Sequence, residues 1–243
     1  MTVKKHYDEH LAHFYGWMAG DFDTLKNNFL NVLRDNGIKP NSTKQALDLG
    51  AGHGVKSLAL SEAGFGVTAV DFNQQLLDEL RQQLDSDQIK TVLADIRDVK
   101  SFEHLQPELI CCCGDTITHL NDRGEIEQLI KDASTILEPE GLLILSFRDY
   151  SHSLEDNQRF IPVKSDANRI LTCILDYDEE NVKVTDLLYE RQEDQWVQKV
   201  STYNKVRVKI EEVLSFLEAS GLKVMLNEPI NRMQTIIAKK VTD

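Results

Sequence analysis

Long apolar runs are absent from this 243-residue sequence. The longest apolar stretches, such as residues 141–147, have the length of a strand and fall far short of the roughly 20 residues that a membrane-spanning helix needs. Residues 1–10 are polar and contain no signal-peptide core. These absences predict a cytoplasmic protein with no membrane partner. The length predicts one large domain, or such a domain carrying an insertion.

Positive charge is also scarce. The chain has 27 Lys and Arg residues against 40 Asp and Glu residues, which gives a net charge of -13. A chain of that charge repels the phosphate backbone of nucleic acids at long range. The expected partner is therefore a small molecule and not a nucleic acid, and no feature of the sequence predicts an oligomeric state.

Paired cysteines are missing as well. Of the four cysteines, three are consecutive at Cys111, Cys112 and Cys113, a spacing that matches neither a disulfide framework nor a zinc site. Neighbouring residues on a strand point to opposite faces, so the three thiols cannot converge on one metal ion. They are predicted to be small buried hydrophobic residues, and no metal site is predicted.

Short apolar runs alternate with helical patterns through the first two thirds of the chain. The apolar runs are residues 46–49, 67–70, 91–93, 109–113 and 142–147, and the helical patterns are residues 56–63, 74–84 and 125–137. Strands that alternate with helices are typical of a parallel sheet covered on both faces. The sequence therefore predicts a doubly wound α/β core over residues 42–149.

Three further regions surround this core. Residues 1–41 contain helical patterns at 7–20 and 22–33 and are predicted to place two helices before the sheet. Residues 150–208 contain strand patterns at 170–176, 182–189 and 196–208, separated by turn residues, which predict an antiparallel β insertion. Residues 209–243 offer a helix at 210–219 and strands at 222–226 and 235–238 that complete the core sheet.

The first apolar run leads into closely spaced glycines, in the series Leu47-Asp48-Leu49-Gly50-Ala51-Gly52-His53-Gly54. Glycines at this place allow a tight turn and a close approach of a ligand to the backbone. The dinucleotide fingerprint needs its third glycine at position 55, where this chain has Val55. The carboxylate of Asp48 also suits a cationic ligand better than a pyrophosphate. S-adenosylmethionine, which carries an ammonium and a sulfonium, fits this loop.

Two more acids follow the next two strand patterns. Asp71 ends the second, where a carboxylate can accept hydrogen bonds from both hydroxyls of a ribose, and Asp95 follows the third, within reach of an adenine amine. Phe72 and Ile96 are candidates for the walls around the adenine ring. The alternative roles are a helix cap for Asp71 and a turn at the end of a strand for Asp95.

These motifs, with Val70-Asp71, Ala94-Asp95 and Leu137-Glu138-Pro139-Glu140-Gly141-Leu142-Leu143, resemble those of the class I S-adenosylmethionine-dependent methyltransferases. The resemblance covers roughly residues 42–149 and implies a Rossmann-like, seven-stranded sheet with one antiparallel strand. It implies S-adenosylmethionine as the cofactor. The implied positions are Asp48 toward the methionine amino end, Gly50, Ala51 and Gly52 around the cofactor backbone, Asp71 on the ribose and Asp95 on the adenine. Glu140 stands where the family often has a glycine.

The acceptor side is predicted from the loops after the fourth and fifth strands. Cys113 and Gly114 open the first loop beside the expected methyl group and are candidates for binding the cofactor. After them, Asp115 can orient an amine or hydroxyl of the acceptor, and His119 can accept its proton near neutral pH. The alternatives are a turn cap for Asp115 and a backbone hydrogen bond for His119. Arg148 in the second loop, and Arg169 in the insertion, are candidates for binding a substrate anion, or for ion pairs with nearby acids.

The N-terminal helical pattern carries aromatic residues. In related methyltransferases such a segment covers the cofactor, so Tyr7, Tyr15 and Trp17 are candidates for that role, and Tyr7 is also a catalytic candidate. His6, His10, His13 and Trp17 form an adjoining stripe that is expected to be solvated and not to bind metal. The whole arrangement resembles small-molecule methyltransferases of the glycine N-methyltransferase group. This resemblance implies that residues 1–41 form an N-terminal helical lid and that the antiparallel insertion at residues 150–208 covers the substrate.

The favoured hypothesis is therefore an enzyme that transfers a methyl group from S-adenosylmethionine to N or O of a small molecule by direct displacement. A binding protein that senses S-adenosylmethionine without catalysis is the alternative from another class. An NAD(P)-dependent oxidoreductase is a less favoured enzyme, because of Val55 and Asp48.

Overall fold

The computed structural model describes residues 1–84 and 88–241, so the last two residues of the predicted 209–243 region lie outside it. Within the described residues, eleven strands form two sheets. They are β1 Gln45–Leu49, β2 Gly66–Asp71, β3 Ile89–Leu93, β4 Leu109–Cys112, β5 Leu142–Phe147, β6 Phe160–Ser165, β7 Arg169–Tyr177, β8 Asn181–Gln192, β9 Gln195–Val206, β10 Leu222–Ile230 and β11 Met233–Lys240.

The main sheet has seven strands in the order β10-β11-β5-β4-β1-β2-β3. Strands β1 to β5 pair in parallel, whereas β11 is antiparallel to both of its neighbours. The predicted doubly wound, seven-stranded and mostly parallel sheet is confirmed. Its central strands are largely apolar, as expected for strands that helices cover on both faces, and Leu47, Leu49 and Ile110 are completely buried.

Seven α-helices accompany the strands over the described residues. They are α1 Val3–Glu9, α2 Tyr15–Ala19, α3 Phe22–Asp35, α4 Val55–Glu62, α5 Gln74–Gln82, α6 Arg123–Ile136 and α7 Ile210–Ala219. Helix α5 shows why they form: the Asn73 side chain caps it by accepting from Leu76 N at 3.0 Å, and Leu76, Leu77 and Leu80 are buried on one face. None of these helices is long and apolar enough to cross a membrane, as far as the described residues go.

The second sheet is the antiparallel insertion, in the order β6-β7-β8-β9. Strands β7, β8 and β9 and the two turns between them were predicted, but β6 was not. Pro162 interrupts the apolar pattern of β6, and the pairing with β7 shifts register between Pro162 and Lys164. The segment between β3 and β4, Ile96–Leu105, also lacked a prediction and forms two 3-10 turns that meet at Asp98.

The N-terminal segment corrects two expectations. The single helix predicted over residues 7–20 is broken at His10, where φ is -140° and ψ is -70°, and a 3-10 turn, Leu11–Phe14, separates α1 from α2. The histidine stripe is not solvated. His6 is fully buried, with Nδ1 at 2.8 Å from Ser201 Oγ and its ring stacked on Tyr203, and His10 is buried too; His13 alone is exposed. The break lets α1 pack against β9 instead of facing water.

Candidate functional site

A cavity of about 710 Å³ lies at the carboxyl ends of β1, β2, β3 and β4, beneath the N-terminal segment. This is the edge at which parallel α/β sheets bind ligands. Twelve of the residues predicted for the site line it: Tyr7, Tyr15, Gly50, Ala51, Gly52, Asp71, Phe72, Asp95, Ile96, Cys113, Gly114 and His119. Trp17, Asp48, Asp115, Arg148 and Arg169 are not among its lining residues.

The glycine loop between β1 and α4 is held in place by hydrogen bonds that its backbone amides donate to the end of β2. Gly50 N and Ala51 N both donate to Val70 O, at 2.9 and 3.0 Å, and Gly52 N donates to Asp71 Oδ2 at 2.8 Å. Gly50 has a φ of +73°, and a Cβ added to it would lie 2.5 Å from Thr116 Cγ2. The loop therefore needs glycine at this position both for its conformation and for space.

Asp71 lies at the end of β2 with its carboxylate held from both sides. Oδ1 accepts from Asn73 N at 2.8 Å and Oδ2 from Gly52 N at 2.8 Å. The side chain is buried, and burial raises its pKa, whereas the backbone amides of Asn73 and Gly52 lower it. Each carboxylate oxygen keeps a further lone pair, so Asp71 can accept hydrogen bonds from hydroxyl groups of a ligand in the cavity.

Asp48 lies behind the glycine loop and not on the cavity wall. Ser57 Oγ donates to Asp48 Oδ2 at 2.5 Å, and the residue is 2% exposed. Burial raises the pKa of this carboxyl to about 6, although the Ser57 hydrogen bond and the Lys56 charge lower it. In this structure Asp48 ties β1 to α4, and a direct role toward the methionine end stays a prediction.

Asp95 lies at the mouth of the cavity beside two residues that the sequence had not singled out. Arg97 donates three hydrogen bonds to the Asp95 carboxylate: N and Nε donate to Oδ1 at 2.9 and 3.0 Å, and Nη2 donates to Oδ2 at 2.6 Å. Arg97 Nη1 also donates to Glu125 Oε1 at 3.0 Å. The Arg97 hydrogen bonds lower the pKa of Asp95 against the effect of partial burial. The arginine two residues after the acid is the sequence signal for this pair.

Both carboxylate oxygens of Asp115 accept hydrogen bonds from protein donors. Its backbone is left-handed, with φ at +76°, and its side chain makes no cap to the following turn. Oδ1 accepts from Arg148 N at 2.9 Å, while Oδ2 accepts from Tyr150 Oη at 3.0 Å and from the buried Lys205 ammonium. Burial by itself would raise the pKa of Asp115, but the charge of Lys205 and the smaller effects of His119 and Arg148 lower it to about 2.

Lys205 is the residue of this cluster that sequence reasoning missed. It is 5% exposed on β9, with its ammonium over the rings of Tyr150 and Tyr203, and the charge of Asp115 raises its pKa well above the ordinary value in spite of burial. Arg148, predicted to bind a substrate anion, has its guanidinium 3.6 Å from Asp115 Oδ2, so the ion-pair alternative holds in this structure.

His119 lies on the cavity wall at the end of the 3-10 turn Thr116–His119. Its ring stands perpendicular to Tyr7 at 5.6 Å and lies 5.7 Å from Tyr203. Nε2 is buried and has no hydrogen-bond partner among the described residues. Burial, helped by the Lys205 charge, lowers the pKa of His119 to about 3. The imidazole is therefore neutral near pH 7 and offers a free polar atom.

Trp17 and Arg169 belong to another contact, between the N-terminal segment and the second sheet. Trp17 Nε1 donates to Asp166 Oδ2 at 2.6 Å, and Lys164 Nζ donates to Trp17 O at 2.5 Å. The Arg169 guanidinium lies over the Trp17 ring at 5.7 Å, and its Nε donates to Glu190 Oε1 at 3.0 Å. The indole thus holds α2 against the sheet instead of facing the cavity.

The consecutive cysteines lie in the core and at the edge of the cavity. Cys111 and Cys112 are buried in β4, as predicted, and Cys113 is buried where β4 meets the cavity. Within residues 1–84 and 88–241 no group of three or more His, Cys, Asp or Glu side chains is arranged to hold a metal ion.

Comparison with known proteins adds to this geometry. Residues 46–141 match the model of a methyltransferase domain family. A glycine/sarcosine N-methyltransferase of Aphanothece halophytica is 30% identical over 130 residues, which are 53% of this chain and 47% of that protein. The chain thus spans about half the length of the curated relatives it matches.

Solved structures share the fold over nearly the whole chain. The CcbJ methyltransferase of Streptomyces caelestis superposes with a TM-score of 0.81 at 15% identity, covering 98% of this chain and 99% of that one. CalS10, an amino pentose methyltransferase of Micromonospora echinaspora solved with S-adenosylmethionine bound, gives 0.76 at 14% identity, covering 93% and 94%. Residues 46–141 are thus similar in sequence to a methyltransferase domain, and the sheet order of the chain gives it the fold of these solved methyltransferases.

Proposed function

We propose that this protein transfers a methyl group from S-adenosylmethionine to a nitrogen or oxygen atom of a small molecule. The observation that carries the proposal is the Asp71 carboxylate, which two backbone amides hold at the wall of the cavity beside the glycine loop. The proposal includes a cytoplasmic location. It includes no nucleic-acid partner, because the net charge of -13 repels phosphate backbones.

The residues of the cavity fit this cofactor. Asp71 would accept from the ribose hydroxyls and Asp95 from the adenine amine, while Phe72 and Ile96 line the same cavity. Gly50 and Gly52 line the cavity, and the tight backbone of their loop would lie against the cofactor. When bound, the cofactor supplies an activated methyl group on a sulfonium, and the protein needs to contribute alignment of the acceptor and exclusion of water.

On the acceptor side, Tyr7, Tyr15 and His119 line the cavity. With a pKa near 3, the neutral His119 ring can accept a hydrogen bond from, or donate one to, the group that is methylated, but it is a weak base for the proton of that group. We therefore assign it the task of orienting the acceptor's N–H or O–H, with the proton leaving to solvent, which revises its predicted role as a base near neutral pH. The relatives named for glycine, sarcosine and an amino pentose support an amine as the acceptor.

The first test is a thermal-shift comparison with S-adenosylhomocysteine, S-adenosylmethionine, NAD and NADP. A ligand that binds only the folded state raises the melting temperature by mass action. We expect the first two ligands alone to raise it, and Asp71→Ala to reduce the shift, because the ribose loses its acceptor. A shift with NAD alone, or with none of the four, would refute the cofactor. A screen of small amines and alcohols for S-adenosylhomocysteine release then separates an enzyme from a sensor.

The protonation state of His119 gives a second prediction, which needs no acceptor. Because burial and Lys205 lower its pKa to about 3, the ring should stay neutral between pH 5 and pH 8. The measurement is the ring Hε1 chemical shift in NMR spectra, assigned by its disappearance in His119→Gln, with free histidine, which titrates near 6.5, as the reference. A midpoint for His119 close to that of free histidine would contradict the orienting role and restore a base near neutral pH.

A further inference from the structure

Three cationic side chains line the cavity, and they differ in their partners. Lys4 is paired with Asp8 at 2.7 Å, and Arg97 is paired with Asp95 and Glu125. Lys56 has no hydrogen bond or ion pair with any residue in the described parts of the chain. A half-buried ammonium that faces a cavity without a carboxylate partner is costly unless a ligand supplies the anion.

The position of Lys56 is well defined. It is the second residue of α4, directly after the glycine loop, and its Nζ lies 4.0 Å from where a Cβ on Gly114 would be. Its charge lowers the pKa of Asp48 and of Cys113, against the effect of burial on both. The ammonium therefore lies where the loops after β1 and β4 meet.

The strand order separates this cation from the acids of the site. Going outward from β4, the order is β1, β2, β3, so Gly114 and the glycine loop come first, Asp71 next and Asp95 last. If Asp71 and Asp95 bind the ribose and the adenine, the remaining amino-acid end of the cofactor extends back over β1 and β4. That end carries a carboxylate, which is the one negative group of S-adenosylmethionine.

We infer that Lys56 binds the carboxylate of the cofactor's amino-acid end and makes the cavity selective for ligands that carry it. This inference rests on the proposed function. A charge-assisted hydrogen bond in a partly desolvated place contributes about 1.5 to 3 kcal/mol, which corresponds to about 10- to 100-fold in affinity. Lys56 thereby also fixes where the sulfonium lies relative to His119.

The test is isothermal titration calorimetry with two ligands that differ in one group. S-adenosylhomocysteine has the carboxylate, and its decarboxylated analogue keeps the amino group and lacks the carboxylate. Lys56→Met should weaken S-adenosylhomocysteine by about 10- to 100-fold and change the affinity of the analogue less than about twofold. Lys56→Arg should retain selectivity for the carboxylate, and Lys39→Met, on the exposed surface away from the cavity, should change neither affinity.

The outcomes separate the two proposals. Wild-type protein that binds neither S-adenosylhomocysteine nor S-adenosylmethionine refutes the proposed function itself. The inference is overturned, while the proposed function stands, if Lys56→Met leaves the affinity for S-adenosylhomocysteine unchanged. It is also overturned if the variant loses the same factor of affinity for both ligands. Lys56→Gln, which keeps most of the polar side chain, provides the same comparison if the methionine variant does not fold.

Discussion

Lys205→Met is expected to lower the free energy of unfolding by about 3 to 5 kcal/mol, the usual cost of removing one partner from a buried ion pair. The variant keeps most of the side-chain volume but leaves the Asp115 carboxylate, which is 1% exposed, without its ammonium. Tyr150 Oη and Arg148 N remain as donors, so Asp115 keeps part of its hydrogen bonding. The measurement is urea unfolding at pH 7 followed by circular dichroism.

The same strand offers a matched control. Lys199 also lies on β9 and pairs with Glu190 at 2.6 Å, but its side chain is 46% exposed. Exposed pairs contribute about 0 to 1 kcal/mol, so Lys199→Met should cost no more than that. Equal losses in the two variants would show that burial of the Asp115–Lys205 pair does not set its contribution to stability.

The pH dependence of this pair has a definite sign. The folded-state pKa of Asp115 is about 2, below its ordinary value of 3.8. The stabilisation from the charged carboxylate is therefore fully present above about pH 4 and is lost as the pH falls toward 2. Wild-type protein should lose more stability than Asp115→Asn between pH 4 and pH 2, because the amide does not titrate.

The parts of the fold that could be predicted are those whose signal is local. Neighbouring residues determine the apolar strands around Leu47 and Leu109 and the glycine loop, so the spacing of residues was enough to locate them. The same holds for Asp71 and Asp95, because an acid directly after a parallel strand necessarily lies at the edge where ligands bind. The part of the cavity formed by the loops after β1, β2 and β3 was accordingly the more predictable part.

The rest depends on partners that are distant in the sequence. Lys205 is one of several charged residues in a strand pattern, and only the fold brings it to Asp115, 90 positions earlier. The burial of His6 likewise results from Ser201 and Tyr203 on β9. An amphipathic pattern shows which face of a helix is apolar, but it does not show which neighbouring element covers the polar face.

Gly50→Ala should combine a stability defect with a loss of cofactor binding. At a φ of +73°, an alanine costs about 1 to 2 kcal/mol in backbone strain. Its Cβ would also lie 2.5 Å from Thr116 Cγ2 and 2.6 Å from Thr116 Oγ1, and Oγ1 is held by its hydrogen bond to Cys113 O. Such overpacking adds about 1 to 3 kcal/mol, and the shift it forces moves the loop that the cofactor would contact.

Gly37→Ala is the control, since Gly37 has a φ of +65° and no atom within 4 Å of the added Cβ, so it reports the backbone strain alone. We expect Gly50→Ala to cost about 2 kcal/mol more than Gly37→Ala in urea unfolding, and to weaken S-adenosylhomocysteine at least about tenfold where Gly37→Ala leaves its affinity unchanged. Adding Thr116→Ala should recover part of both losses, because it removes the two closest atoms. Equal effects of the two glycine variants would mean that the loop yields to a side chain at position 50, and that the close approach of backbone and cofactor does not depend on glycine there.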